Sequence, residues 1–238
     1  MGSSVFRFKK FTIHQDICAM KVGTDSVILG SWANTFQAKT CLDIGTGTGL
    51  LSLMMAQKGI EKITAIDIDE SACLQATLNV QNSIFKNHIE IINQSFQDFC
   101  IGHLKKYDHI ISNPPFFKNS LRPNEHKKSF AKHQDALNFR ELINGVSVLL
   151  EKGGNFYFII PNDSLEEIEQ IALENKIFFH SKLFVYPNKN SINPKRVCVG
   201  SSNIKKTLTQ QNLTIENSVR HDYSDDYKNL TSSFYLAI

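Results

Sequence analysis

The chain has 238 residues, enough for one sizeable α/β domain with small additions but not for two full domains. Its 42% hydrophobic and 21% charged residues are ordinary for a globular protein and exclude a disordered chain. The net charge of +3 is too small to indicate a polyanionic partner by itself. We therefore predict a single domain over 1–238, with an N-terminal strand and helix extension at 1–36 and the core at 37–238.

Cysteine usage and the distribution of apolar residues predict the compartment. The five cysteines are odd in number and form no Cys-x-x-Cys pair, which favours reduced thiols over a zinc site. No apolar run is long enough to span a bilayer, and the N-terminus lacks the apolar core of a signal peptide. We expect a cytoplasmic monomer with no metal and no membrane contact. The cysteines are Cys18, Cys41, Cys73, Cys100 and Cys198.

Predicted strands and helices alternate along most of the chain. Residues 6–13 alternate apolar and basic side chains, as a strand or hairpin does. Thr24 or Asp25 is the expected N-cap of a short helix that ends at Trp32. After this helix we predict strands at 40–44, 62–67, 88–93, 107–112 and 154–160, and helices at 49–58, 70–82, 138–151 and 163–175.

Two or three late strands, at roughly 177–185, 195–201 and 208–215, have no helix between them. Strands separated by helices imply a parallel sheet covered on both faces, whereas the late strands suit an antiparallel edge. The predicted fold class is therefore α/β, with a doubly wound, mostly parallel sheet. Ligands of such sheets bind beyond the carboxyl ends of the strands.

A glycine-rich turn joins the first predicted strand of the core to its helix, within 42–50. Gly45, Gly47 and Gly49 permit a tight turn and close approach of the backbone to a ligand. The spacing is G-x-G-x-G and not the G-x-G-x-x-G of dinucleotide-binding proteins. The next strand ends in Asp67, 22 positions after Gly45, where a carboxylate can accept both hydroxyls of a ribose.

The alternative role of Asp67 is to cap the helix predicted at 70–82. Asp69 is better placed for that cap, because it lies directly before the helix. The turn and the acid together therefore predict a nucleoside-containing cofactor.

The run Asn113-Pro114-Pro115-Phe116 follows the apolar strand at 107–112. Proline has no N–H for a sheet ladder, and the residue before a proline is held extended, so the strand must end stiffly at Asn113. Its side-chain oxygen and the Pro114 carbonyl are two adjacent acceptors, which suit a planar –NH2 group. The alternative is a plain Pro-Pro turn that leaves the sheet.

These motifs resemble those of class I S-adenosylmethionine-dependent methyltransferases that modify exocyclic or amide nitrogens. The segments 11–16, 20–27 and 234–236 are similar to the bacterial tRNA1(Val) adenine-N6-methyltransferase family. The resemblance covers the chain from about Phe6 to Leu236. It implies a seven-stranded Rossmann-like sheet, S-adenosylmethionine as cofactor, and N6-methylation of adenine(37) beside the anticodon of tRNA1(Val). Lys132 stands where arginine is common in relatives, which keeps the positive charge but not the bidentate fork of a guanidinium.

The resemblance also implies roles for individual residues. Asn113 and Pro114 would hold the target amine, and Phe116 would stack on the extruded base. Asp98 resembles the acid that relatives place near the cofactor's adenine amine, although a turn or cap is its alternative role. Asp43 would reach the methionine amino group through water.

Basic residues outnumber acids in two segments, 118–133 and 182–206. The first follows the Asn-Pro-Pro-Phe run directly, and phosphate contacts beside a base pocket are what an RNA-modifying enzyme needs. A solvated surface is the alternative for each segment. The residues predicted to contact RNA are Lys127, Lys128, Lys195 and Arg196.

The sequence alone does not exclude four other functions. A ribosomal RNA base or a protein glutamine amide also offers an –NH2 group to the same acceptors. A nicotinamide dehydrogenase has a different glycine spacing, and a non-catalytic RNA-binding module would retain the pocket as a relic.

Overall fold

A computed structural model of the chain describes residues 4–17, 21–102, 105–115 and 137–236. Within these ranges the strands are β1 (Val5–Arg7), β2 (Thr12–His14), β3 (Thr40–Ile44), β4 (Lys62–Asp67), β5 (Ile89–Asn93), β6 (Tyr107–Ser112), β7 (Leu150–Pro161), β8 (Phe178–Asn188), β9 (Arg196–Ser202) and β10 (Thr209–Glu216). The helices are α1 (Thr24–Trp32), α2 (Leu50–Gln57), α3 (Glu70–Gln81), α4 (Phe96–Gly102), α5 (Phe139–Leu149), α6 (Leu165–Glu174) and α7 (Asp225–Thr231). Each predicted strand and helix of the core is present at its place in the chain.

The main sheet has the strand order β10-β8-β9-β7-β6-β3-β4-β5. Neighbouring strands from β5 to β7 are parallel, while β9 runs antiparallel to both β7 and β8. The predicted fold class is confirmed: the protein is α/β, with a large, mostly parallel sheet and antiparallel pairing towards one edge.

The predicted strand number of seven is wrong, because the described residues form a sheet of eight strands. The strand predicted at 208–215 is β10, which pairs in parallel with β8 from Thr209 opposite Ser181 to Glu216 opposite Asn188. Both edges of β9 are already paired, with β7 and with β8. The strand after β9 therefore cannot pair with β9, and it pairs instead with the free edge of β8, where its direction is parallel.

Helices cover the sheet on both faces, as its apolar strands require. Along β7, Tyr157 and Ile159 face a buried cluster that includes α1 and α2, whereas Phe156 and Phe158 face a second cluster that includes α5 and α6. Alternate residues of one strand thus fill two cores. The helix layers leave the carboxyl ends of the strands accessible, and the residues predicted for catalysis follow those ends.

The N-terminal segment is a hairpin, as predicted, in which β1 pairs antiparallel with β2. It is joined to the end of the chain: Phe8 forms a β-bridge with Tyr235, and the Lys9 N–H donates to the Phe234 carbonyl at 2.8 Å. The rings of Phe8 and Tyr235 stack with centroids 5.8 Å apart. Distant segments of the chain thus share one aromatic cluster.

The predicted N-cap of α1 is wrong. The cap is Gly23, with φ −113° and ψ 151°, while Thr24 and Asp25 lie in the first helical turn. The Asp25 carboxylate is engaged instead by the Arg196 side chain, whose Nε lies 2.8 Å from Oδ2. A long-range ion pair therefore replaces the local capping bond. No helix in the described part of the chain is long and apolar enough to cross a membrane.

Candidate active site

A cavity of about 560 Å³ opens at the carboxyl ends of β3, β4 and β6. Its wall combines the glycine turn, the end of β4, residues 94–97 after β5, and Ser112–Pro115 after β6. Three residues before and within α1 also line the cavity: Lys21, Val22 and Ser26. The structure therefore brings together the glycine turn, Asp67 and the Asn-Pro-Pro edge.

The three glycines of the turn differ in what surrounds them. All have positive φ, at 73° for Gly45, 57° for Gly47 and 81° for Gly49. A Cβ on Gly45 or Gly47 would meet no atom within 4 Å, and both residues lie on the cavity wall. A Cβ on Gly49 would lie 3.4 Å from the Ala76 Cβ. Gly45 and Gly47 thus keep the cavity open, whereas Gly49 allows α2 to approach α3.

Asp67 lies at the end of β4 and on the cavity wall. Its carboxylate accepts the Gly47 N–H at 2.9 Å and the Asp69 N–H at 3.0 Å. Burial raises the pKa of this carboxyl above its usual value, and the two N–H donors oppose that shift. Asp69 caps α3 by accepting the Ser71 N–H at 2.9 Å, so the capping role falls to Asp69 as expected. Asp67 is held in place by the turn and keeps free lone pairs for a ligand.

Asp43 is fully buried beneath the glycine turn and is not one of the residues that line the cavity. Its Oδ2 accepts the Thr46 hydroxyl at 2.7 Å, the Ser52 hydroxyl at 2.6 Å and the Ser52 N–H at 3.1 Å. Within the described residues, its Oδ1 has no hydrogen-bond partner. Burial raises the pKa of Asp43 to about 6, although the Ser52 and Thr46 donors lower it. Asp43 therefore holds the turn from below; its water-mediated cofactor contact stays a prediction.

Asp98 lies in the first turn of α4, exposed and beside the cavity rather than on its wall. Its Oδ2 accepts the Ser95 hydroxyl at 2.7 Å, and its own N–H donates to Ser95 Oγ at 3.1 Å. These contacts support the alternative role of Asp98 at the start of a helix. The wall at this place is formed by Gln94, Ser95, Phe96 and Gln97, which the sequence reasoning missed. Their position directly after a parallel strand is the sequence feature that could have identified them as lining residues.

Asn113 and the two prolines after it lie on the cavity wall. Asn113 is half-buried, Pro114 is buried and Pro115 is exposed. The Asn113 side-chain Nδ2 donates to the Ser26 hydroxyl at 2.8 Å. Just before it, the Ser112 hydroxyl donates to the Ile44 carbonyl at 2.8 Å, which ties the end of β6 to the end of β3. Phe116 lies outside the described residues.

The predicted RNA-contacting residues are only partly described. Lys195 is exposed, between β8 and β9. Arg196 is half-buried and its Nε is paired with Asp25, so its guanidinium links β9 to α1. Lys127 and Lys128 lie outside the described residues. Of the two predicted basic residues that the structure describes, Lys195 is thus exposed to solvent, whereas Arg196 is held in an ion pair.

The strand order, with a glycine turn opening at the carboxyl edge of β3, defines a Rossmann-like fold with its cavity at that edge. Residues 18–179 match the methyltransferase small domain, and the chain belongs to that family. Proteins named tRNA1(Val) (adenine(37)-N6)-methyltransferase from Bacteroides fragilis and Phocaeicola vulgatus are 40% and 42% identical to it. Each alignment covers 99% of both chains.

Solved structures share the fold at lower sequence identity. A protein described as a predicted O-methyltransferase, from Agrobacterium tumefaciens, matches with a TM-score of 0.68 and 18% identity over 88% of this chain and 96% of its own. A ribosomal protein L11 methylase from Lactobacillus delbrueckii matches with a TM-score of 0.54 and 21% identity over 74% and 76%. The predicted resemblance to the methyltransferases is thus confirmed in sequence and in fold.

Proposed function

We propose that the chain transfers a methyl group from S-adenosylmethionine to N6 of adenine(37), next to the anticodon, in tRNA1(Val). The observation that carries the proposal is that the Asn113–Pro115 edge and the glycine turn line one cavity. Relatives of that name, about 40% identical over the whole chain, support the choice of substrate.

The residues on the cavity wall fit S-adenosylmethionine. Gly45 and Gly47 leave open the space that a Cβ would fill, and a volume of about 560 Å³ is that of a small-molecule site. Asp67 keeps unused lone pairs on a carboxylate already fixed by two N–H donors, which suits the two hydroxyls of a ribose. When bound, S-adenosylmethionine supplies an electrophilic methyl group on a sulfonium centre.

The Asn-Pro-Pro edge prepares the target nitrogen. The lone pair of an adenine N6 amine is delocalised into the purine ring, so the amine is a poor nucleophile. Asn113 Oδ1 and the Pro114 carbonyl would accept its two N–H bonds, fix its orientation and stabilise the positive charge that develops on nitrogen. The N–H becomes acidic as the new bond forms, so its proton can leave to water and no dedicated base is required.

The base must also leave the anticodon loop. Extruding a stacked adenine requires a few kcal/mol, and stacking on an aromatic side chain returns about 1–3 kcal/mol. Phe116, two residues after Pro114, is the proposed stacking partner. Lys195, exposed after β8, is the proposed phosphate contact, and Lys127, Lys128 and Arg196 remain further candidates from the sequence.

The test is the mass of nucleosides from a tRNA1(Val) transcript incubated with the protein and S-adenosylmethionine. We expect N6-methyladenosine from this transcript and none from one that carries guanosine at position 37. Asn113→Ala should lower turnover by orders of magnitude with little change in cofactor affinity, because the lost contact is made to the base. Asp67→Ala should mainly raise the cofactor's dissociation constant.

The same assay distinguishes the other substrates. Methylation of ribosomal RNA in place of the transcript would move the proposal to an rRNA base. A labelled product that survives nuclease treatment would indicate a protein glutamine amide. No methylation of any of these substrates by a protein that binds S-adenosylmethionine would refute the proposed activity.

We also propose that the protein acts in the cytoplasm as a monomer without a bound metal. In the described ranges, no group of three or more His, Cys, Asp or Glu side chains is placed to hold a metal ion. Light scattering in solution tests the monomer, and activity after dialysis against a chelator tests the absence of a metal requirement.

A further inference from the structure

The Asn113 side chain can serve the proposed reaction in only one of its two orientations. Its amide carries an acceptor oxygen and a donor nitrogen that occupy equivalent volumes. With Oδ1 towards the substrate, the amide accepts an N–H of the target amine. After a half-turn, Nδ2 would face the same amine and two donors would oppose each other. The target amine itself favours Oδ1, so the protein has to supply a contact that holds the Asn113 amide in place at the cavity.

Ser26 provides such a contact. The Asn113 Nδ2 donates to the Ser26 hydroxyl at 2.8 Å, and within the described residues Oδ1 has no hydrogen-bond partner. Holding the nitrogen on one side directs the oxygen to the other side of the amide. Ser26 itself lies on the cavity wall, so this bond is made beside the space for the reactants.

The helix that carries Ser26 is fixed at both ends. In its first turn, Asp25 is paired with Arg196 of β9, with 2.8 Å between Oδ2 and Nε. At its other end, the Lys58 ammonium donates to carbonyl oxygens of the last turn and the cap residue. Those carbonyls belong to Gly30, Ser31 and Ala33. The hydroxyl of Ser26 is therefore presented from a rigid element.

We propose that Ser26 is a positioning residue for methyl transfer: its hydroxyl accepts the Asn113 Nδ2–H and so keeps Oδ1 directed at the –NH2 group of the substrate. The inference rests on the proposed function, because it concerns the same acceptor. Ser26 acts through Asn113 and takes no part in bond making. Its loss should lower the rate of the chemical step and leave cofactor affinity unchanged.

The test compares Ser26→Ala with Ser26→Thr and with a control on the same helix. Ser26→Ala should lower kcat roughly tenfold, the factor expected for one hydrogen bond of this kind. Ser26→Thr retains the hydroxyl and should recover most of the rate. The control is Ser31→Ala, since the Ser31 hydroxyl is buried and has no hydrogen-bond partner among the described residues. Calorimetric titration with S-adenosylmethionine should give the same affinity for all four proteins.

A change at Asn113 tests whether Ser26 acts through that residue. In Asn113→Ala there is no side-chain amide for Ser26 to hold. In that background, Ser26→Ala should change the residual single-turnover rate less than about twofold, which is the non-additivity expected of a coupled pair. An equal loss in both backgrounds would overturn the inference, because Ser26 would then act without Asn113.

Failure of the inference is distinguishable from failure of the proposed function. If the unaltered protein methylates the transcript and Ser26→Ala is as fast, the function stands and the positioning role is wrong. If the unaltered protein binds S-adenosylmethionine but methylates no adenine, the proposed function is wrong. The Ser26 variants are then compared on whichever amine the protein does methylate.

Discussion

Replacing Gly47 by alanine tests whether the absence of a side chain at this position leaves room for the cofactor. Gly47 has φ 57°, and an alanine in this left-handed conformation costs about 1–2 kcal/mol of stability. For a chain of 238 residues this lowers the melting temperature by roughly 2–8 °C. The added methyl group also projects into the space of the cavity, where it meets no protein atom within 4 Å. Overpacking by about 1–3 kcal/mol would raise the dissociation constant for S-adenosylmethionine roughly 5- to 150-fold.

Gly49→Ala is the matched control. Gly49 also has positive φ, at 81°, but its Cβ would face Ala76 at 3.4 Å and not the cavity. We expect a similar drop in melting temperature and a change in cofactor affinity of less than about threefold. Both substitutions strain the backbone, but only the one at Gly47 places a methyl group in the cavity. Thermal unfolding and calorimetric titration measure the two effects separately. Equal weakening of cofactor binding by both substitutions would refute the reasoning, because backbone strain alone would then explain it.

Two further outcomes follow from charged residues. Because burial raises the pKa of Asp43 to about 6, its proton stabilises the folded state at low pH, and that stability is lost as the pH rises through 6. Urea unfolding at each pH should show the unaltered protein losing roughly 2 kcal/mol relative to Asp43→Asn between pH 4 and pH 7, and parallel curves would contradict this. Lys195→Ala should weaken tRNA binding and reduce its salt slope by about one, whereas Lys62→Ala, at the amino end of β4 and away from the cavity, should do neither. Filter binding over a salt series measures both variants, and an unchanged slope for Lys195→Ala would remove the proposed phosphate contact.

Local sequence signals were enough to predict the strands, the glycine turn and part of the cavity wall. The apolar run before Asn113 and the prolines after it fix where β6 ends, because proline cannot continue the ladder. The alternation of strand and helix around Gly45 placed the turn at the carboxyl edge of the sheet. Asp69, directly before α3, was recognisable as its cap, which left Asp67 free for the cavity.

Contacts between distant parts of the chain could not be predicted in this way. Ser26 and Asn113 are 87 positions apart, and Asp25 and Arg196 are 171 apart, so no local pattern pairs them. Asp25 was therefore interpreted as a possible cap and Arg196 as an RNA contact. The placement of β10 depends on which sheet edge β9 has already occupied, which is a property of the assembled sheet.

The contacts between the N-terminal hairpin and residues 232–235 affect how the protein folds during its synthesis on the ribosome. The Lys9 ammonium donates to the Ser232 carbonyl at 2.6 Å, across 223 positions, and the Gln57 side chain donates to the Ser233 carbonyl at 2.7 Å. Synthesis makes the hairpin more than 200 positions before the segment it contacts. A nascent chain that already contains the glycine turn and the Asn-Pro-Pro edge therefore lacks the contacts that hold the hairpin, and it gains them only when residues 232–235 have left the exit tunnel.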